Sequence, residues 1–182
     1  MAFSIGTFYA FLSGTPLVAQ SSFAMSATTL GLAMGSITAG FLLGSFLAGR
    51  YAGCYTLATT MIAGRVIACA GLGAGLITAL VGVRHPISFF GWSMFTGLGN
   101  GLTLPSANAA VMSVRPHLAG GASGLSGALT VAGAALVSSL TGAVLTASGA
   151  AVNLLTIMFL SALLSLIAAA YVRLLDRRRK VD

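Results

Sequence analysis

The sequence predicts an all-α membrane protein with six transmembrane helices, and three observations support that prediction. Hydrophobic residues make up 57% of the 182 residues and charged residues only 6%, whereas about a quarter of the residues in a soluble domain are charged. The mean hydropathy is +1.00. The apolar residues also form runs of about 20 or more, which fit helices that cross a bilayer and not the shorter alternating strands of a membrane barrel.

Six apolar runs are separated by short polar or glycine-containing breaks, and each run is predicted to be one helix. The first run has no basic segment before it and is too long for a signal peptide. Because apolar sequence follows Met1 at once, we expect the chain to begin within something larger. The predicted spans are residues 2–20, 28–48, 57–81, 87–112, 119–147 and 152–172, followed by a basic tail over 173–182.

The basic residues indicate how the helices are oriented. The net charge is +7, and five of the nine Lys and Arg residues lie in the last ten positions. A basic cluster directly after an apolar helix is typical of the cytoplasmic face of a membrane, where it contacts anionic lipid, and not of a nucleic-acid interface. Six helices place both termini on that side, together with the loops of Arg50 and Arg115, whereas Arg84 lies on the opposite side.

The two halves of the chain share a weak repeat. The first helix of each triplet carries a proline near its far end, Pro16 in one and Pro105 in the other. The second helix of each triplet is rich in Gly, Ala and Ser, which allow helix backbones to approach closely in a membrane. Pro105 is expected to bend or locally unwind the fourth helix, because proline removes a backbone donor.

Three segments resemble the bicyclomycin/chloramphenicol-resistance type of drug:proton antiporter in the major facilitator superfamily: "YAFLSGTPLVAQ", "GSFLAGRYAG" and "LPSANAAVMSVRPHLAGGASGLSGAL". The resemblance is to the C-terminal half of that family and covers nearly the whole chain. It implies half of a major facilitator fold, a 3+3 inverted repeat, in a bacterial inner membrane. It also implies export of small amphiphilic drugs by proton antiport, with a complementary N-terminal half or a second copy as partner.

The resemblance implies a substrate cavity lined by the first helix of each triplet. Tyr9 and Ser13 share one helical face with Pro16 and Gln20, and a second face at helical spacing contains Trp92, Thr96, Asn100 and Thr103. Ordinary helix packing, with hydroxyl groups bonded to their own helix, remains open as the alternative. The candidate substrate-binding residues are Tyr9, Ser13, Trp92, Thr96 and Asn100.

Two loops contain the candidate gate residues. Gly49, Arg50 and Gly53 resemble a degenerate copy of the superfamily's cytoplasmic loop motif, and a plain turn with a topology-setting arginine is the alternative. The second loop is expected to be a short cytoplasmic turn in which His117 makes a capping or gate contact; it consists of Arg115, Pro116 and His117. The small residues that follow are expected to form a flat surface against the other half, with Gly120, Gly124 and Gly127 in it.

The charged groups within the spans are few. Arg65 lies about two turns from the cytoplasmic end of the third helix, so we expect its side chain to extend to the interface, with a functional intramembrane charge as the alternative. No Asp or Glu precedes Asp176. The spans therefore contain no carboxylate to carry a proton, and the resemblance implies that the proton carrier lies in an N-terminal half.

The sequence also offers two other function classes. The sequences "GASG" and "GLSG" match the Gly-x-Ser-Gly pattern of intramembrane serine proteases at Ser123 and Ser126, but no histidine follows His117 to serve as the base. A membrane scaffold or channel is the third possibility. Cys54 and Cys69 have neither a CxxC partner nor a histidine at metal spacing, so we predict no metal site. We also predict no enzyme activity, no catalytic residue and no cofactor.

Overall fold

The described part of the chain consists of helices joined by short loops. The structure, a computed structural model, describes residues 1–82, 85–114, 119–146 and 149–178, without the side chains of 114, 119 and 175–178. The described residues contain no strand, and the predicted all-α fold with six helices is confirmed. The helices are α1 (Ala2–Phe23), α2 (Ala27–Arg50), α3 (Leu57–Leu80), α4 (Pro86–Val114), α5 (Ala119–Val144) and α6 (Ala150–Arg178).

Five of these helices are long and apolar enough to cross a membrane by length and composition: α1, α2, α3, Gly120–Val144 of α5 and Ala150–Leu174 of α6. The exception is α4, which has 29 residues but in which polar side chains interrupt the apolar sequence. These side chains are buried within the protein: Ser93, Thr96, Asn100, Thr103 and Ser106. A membrane helix tolerates such groups where neighbouring helices shield them from lipid.

Local capping explains where several helices begin and end. The side chains of Ser26 and Thr56 accept hydrogen bonds from the first turns of α2 and α3, which is the usual role of these residues at helix N-termini.

The basic tail predicted from residue 173 begins as helix, because α6 continues to Arg178. A helix satisfies its own backbone hydrogen bonds, so its end need not coincide with the edge of the apolar span.

The helix packing has an internal two-fold pattern. The most extensive packing is of α2 on α4 and of α3 on α4, followed by α1 on α5, α3 on α6 and α1 on α6. Exchanging α1 with α4, α2 with α5 and α3 with α6 leaves this set of pairs unchanged. Each three-helix unit is therefore packed mainly against the other unit, as expected for the repeat read from the sequence.

Glycines bring α2 and α4 into close contact. A Cβ atom at any of four positions would collide with a backbone carbonyl oxygen of the facing helix: Gly40 and Gly44 in α2, Gly97 and Gly101 in α4. Each pair is spaced four residues apart, so each helix presents a glycine stripe to the other. Close backbone approach through small residues is a common way for helices to associate in lipid.

Aromatic and aliphatic side chains fill the space where α1, α4 and α6 meet. The ring of Phe11 lies 6.1 Å from that of Phe90, edge to face, and the rings of Phe89 and Phe90 are 5.2 Å apart. Leu154 and Met158 of α6 are fully buried in the same cluster. This cluster joins the first helix of each unit to the last helix of the chain.

Pro105 does not unwind α4, so that part of the prediction is wrong. The helix is continuous from Pro86 to Val114. Pro105 cannot donate to the carbonyl oxygen of Gly101, four residues earlier, and the Ser45 hydroxyl of α2 donates to that oxygen at 3.5 Å. One missing backbone donor is thus partly replaced from the neighbouring helix.

Candidate substrate site

The predicted cavity face of α1 is exposed along its length. Tyr9, Ser13, Pro16 and Gln20 are all exposed, whereas the opposite side of α1 is buried against α5 and α6. The Ser13 hydroxyl donates to the carbonyl oxygen of Tyr9 at 2.8 Å. Its hydrogen bond therefore goes to its own helix, as the packing alternative expects, while the Tyr9 side chain remains open.

The predicted face of α4 points into the protein. Trp92 is half-buried against Gly75 of α3, and its ring stacks on Phe95 at 5.8 Å. Thr96 is 1% exposed, and its hydroxyl has no hydrogen-bond partner among the described residues. Asn100 is 3% exposed, and its side chain accepts hydrogen bonds from α1 and α3.

A cavity of about 330 Å³ opens between α1, α2, α4 and α5. It brings together Tyr9 and Asn100, one from each of the predicted faces, but not Ser13, Trp92 or Thr96. Its size lies at the lower end of the range for small-molecule sites. The lining residues are Ile5, Phe8, Tyr9, Thr38, Phe41, Gly97, Asn100, Leu104, Thr130 and Val131.

Arg65 does not extend to the interface, so the expectation for its side chain is wrong. It is 1% exposed and is the largest fully buried side chain. Its Nε donates to the Thr103 hydroxyl at 2.9 Å, and its Nη2 donates to Asn100 Oδ1 at 2.6 Å. The side chain turns towards α4 because that helix supplies the acceptors that a guanidinium requires.

Asn100 is the centre of a polar cluster that connects three helices. Its Oδ1 accepts from Arg65 of α3 and from the Ser4 hydroxyl of α1, the latter at 2.9 Å. Thr103, which also accepts from Arg65, donates to its own helix at Gly99. Both acceptors of the guanidinium among the described residues are neutral, and the only carboxylate side chains in the sequence are Asp176 and Asp182.

The described gate residues lie at the end of α2. Gly49 and Arg50 form the last turn of that helix and are exposed, and Gly53 has a φ of 88° in the turn that follows. This conformation favours glycine. Arg115, Pro116 and His117 lie outside the described residues, so their gate role stays a prediction, as does that of the first loop.

The glycines predicted to pack at an interface face outward. A Cβ atom at Gly120, Gly124 or Gly127 would meet nothing within 4 Å. α5 contacts α1 further along, where a Cβ on Gly133 would lie 2.5 Å from the Cβ of Ala2. The α5 face that contains Gly120, Gly124 and Gly127 therefore presents a small-residue surface that no described part of the chain covers.

A second cavity of about 420 Å³ lies at the end of the bundle where α1 and α3 end and α4 and α6 begin. His85 lines it beside Ser88 and Thr78. The Ile87 amide donates to His85 Nδ1 at 3.3 Å, so this histidine caps the start of α4. The sequence pattern assigned no function to any residue of this cavity.

The two serines of the protease alternative lack a base among the described residues. Ser123 is exposed, and the Ser126 hydroxyl donates to the sulfur of Met1 at 3.2 Å. The one described histidine, His85, precedes the start of α4, at the far end of that helix from the start of α5. A nucleophilic serine requires an adjacent base, and this arrangement does not supply one.

Comparison with known families gives one match. The family model described as Major Facilitator Superfamily matches residues 1–182. No curated protein and no solved structure matches the chain.

Proposed function

Because the chain belongs to the major facilitator superfamily of membrane transporters, we propose that it supplies the C-terminal half of a multidrug efflux carrier of the bicyclomycin/chloramphenicol-resistance type. In this proposal the chain exports small amphiphilic drugs by proton antiport once it is joined to a complementary half in a bacterial inner membrane, with both termini cytoplasmic. Members of the superfamily are transporters and not enzymes.

The observation that carries the proposal is the cavity bounded by Tyr9 and Asn100. These residues come from α1 and α4, the first helices of the two units, and substrate sites in such folds form where repeats meet near the midplane. The walls are largely apolar, and a few polar groups are available to orient a ligand. That combination suits a small amphiphile.

The proposal also requires a partner. None of the spans contains a carboxylate, and membrane carboxylates are the usual proton carriers of coupled transporters. The outward-facing glycines of α5, and Gly31 and Gly35 of α2 with open space around them, offer two small-residue surfaces for close helix contact. A complementary N-terminal half is the partner that would cover both surfaces and provide the proton carrier.

Reconstitution tests this function. The purified chain is placed in proteoliposomes with an imposed pH gradient, alone or with the N-terminal six-helix half of an antiporter of this type, and chloramphenicol uptake is measured. We expect gradient-driven uptake only with the complementary half. Val131→Trp, which fills the cavity from an exposed position, should abolish uptake, whereas Leu129→Trp, exposed on the same helix but outside the cavity lining, should not.

Two results would contradict the proposal. Uptake by the chain alone that disappears on Asn100→Leu would show that a second copy rebuilds a working carrier and that no complementary half is needed. Uptake by the complex that survives Val131→Trp would show that the substrate binds elsewhere.

A further inference from the structure

We propose that Arg65 is a positioning residue that fixes the Asn100 amide as a hydrogen-bond donor to the cavity. The cavity then selects uncharged ligands that carry a carbonyl-type acceptor over lipophilic cations. This inference rests on the proposed function, because it concerns the ligand of the same cavity. It assigns a role to the buried charge, which the proposed transport cycle does not otherwise use.

The hydrogen bonds of Asn100 determine which end of its amide faces which neighbour. A guanidinium only donates, so the atom 2.6 Å from Arg65 Nη2 must be the amide oxygen. The Ser4 hydroxyl donates to the same oxygen at 2.9 Å. With its oxygen held on this side, the amide keeps its two N–H donors for the other side, and Asn100 lines the cavity.

The rest of the cavity wall carries no anionic group that could pair with a cation. No Asp or Glu lines it, and most of its residues are apolar, including Ile5, Phe8 and Leu104. The Thr130 hydroxyl donates to Ser126 of its own helix at 2.6 Å, so it is not available to donate to a ligand. The arginine that bonds to Asn100 places a full positive charge behind this part of the wall, and like charges in a poorly solvated site repel.

A purely structural role for Arg65 makes a different prediction. If the guanidinium only joined α3 to α4, its replacement would lower stability and weaken all ligands alike. If it orients Asn100, its replacement changes the relative affinity for different ligands. The ratio of affinities therefore separates the two roles, whatever the stability of each variant.

The experiment uses three ligands with one ring system: 2-acetylnaphthalene, 2-ethylnaphthalene and (2-naphthylmethyl)trimethylammonium. Their binding to the full chain in nanodiscs is measured by calorimetry, and nanodiscs without protein serve as the control for partition into lipid. We expect the ketone to bind about 2- to 12-fold more tightly than the ethyl compound, the range for one neutral hydrogen bond, and the cation to bind most weakly.

Three variants test the mechanism. Asn100→Asp keeps an acceptor for Arg65 but presents no N–H to the cavity, so it should lose the preference for the ketone and bind the cation more tightly. Arg65→Met should reduce the preference for the ketone, and Arg65→Lys, which retains a cationic donor, should restore it. Asn108→Asp, an exposed asparagine of the same helix, should leave all three affinities unchanged.

The outcomes distinguish this inference from the proposed function. Equal binding of the three ligands, or tightest binding of the cation, combined with loss of binding in Val131→Trp, overturns the selectivity but leaves the cavity as the binding site. An unchanged ligand ratio in Arg65→Met overturns the positioning role. Binding that persists in Val131→Trp overturns both the inference and the proposed site.

Discussion

Replacement of Asn100 by alanine should destabilise the fold strongly, because the Asn100 side chain of α4 accepts hydrogen bonds from α1 and from α3. The change removes the acceptor of Arg65 Nη2 and of the Ser4 hydroxyl. Arg65 is 1% exposed, so water cannot readily replace the lost acceptor. The guanidinium keeps one side-chain hydrogen bond, to Thr103.

The size of the effect follows from the two bonds. A hydrogen bond to a charged group contributes about 1.5 to 3 kcal/mol. Neutral hydrogen bonds between membrane helices average about 0.6 kcal/mol, which applies to the bond from Ser4. We therefore expect Asn100→Ala to lower the free energy of unfolding by roughly 2 to 4 kcal/mol.

The single tryptophan makes the measurement direct. Trp92 is half-buried against Gly75, so its fluorescence reports unfolding during titration with sodium dodecyl sulfate in mixed micelles. Asn108→Ala, at an exposed asparagine of the same helix, is the control and should change the free energy by less than about 0.5 kcal/mol. If Asn100→Ala were no more destabilising than this control, the buried cluster would not stabilise the fold.

Three further predictions follow from the packing and the charge distribution. A reporter fused after Lys180 should face the cytoplasm and one at Arg84 the opposite side, measured by paired alkaline phosphatase and green fluorescent protein fusions; a periplasmic tail would contradict the orientation. Gly124→Leu should block co-purification with a complementary half while leaving membrane insertion intact, because the glycine faces open space in this chain; retained co-purification would exclude that surface as the interface. Gly97→Leu should instead prevent stable folding of the chain itself, because the leucine Cβ would collide with the Ile37 carbonyl oxygen. Folding is scored by monodispersity on size-exclusion chromatography, and a monodisperse protein of unchanged stability would contradict the close packing of α2 on α4.

The sequence was sufficient for the fold class because lipid imposes a length on each helix. A run of about 20 apolar residues has few alternatives to a spanning helix, and proline, glycine and charged residues mark the breaks. At α6 the apolar run and the helix end at different residues, because the run stops at residue 172 but the helix continues to Arg178. Hydropathy predicts how far the apolar span extends, but it does not predict how far the backbone hydrogen bonds of the helix continue.

The sequence could not show which neighbour each polar or small residue meets. The position of Arg65 along α3 gave its depth, but its acceptor Asn100 is 35 residues away and Ser4 lies on a third helix. Glycine stripes pose the same problem. Those at Gly97 and Gly124 look alike in sequence, yet one packs within this chain and the other faces outward.

The internal repeat provides an argument that the charge at residue 65 is not needed for folding. Arg65 is the ninth residue of α3, and the ninth residue of α6, the equivalent helix of the second unit, is Met158. Met158 is fully buried within the apolar core. A long unbranched apolar side chain therefore satisfies the packing at this place in one unit. The buried charge in the other unit must be offset by acceptors from α4, at a cost that apolar packing avoids. Because the two-fold helix packing does not require this cost, we attribute the arginine to the cavity that Asn100 lines, and Arg65→Met is the substitution that separates folding from ligand selection.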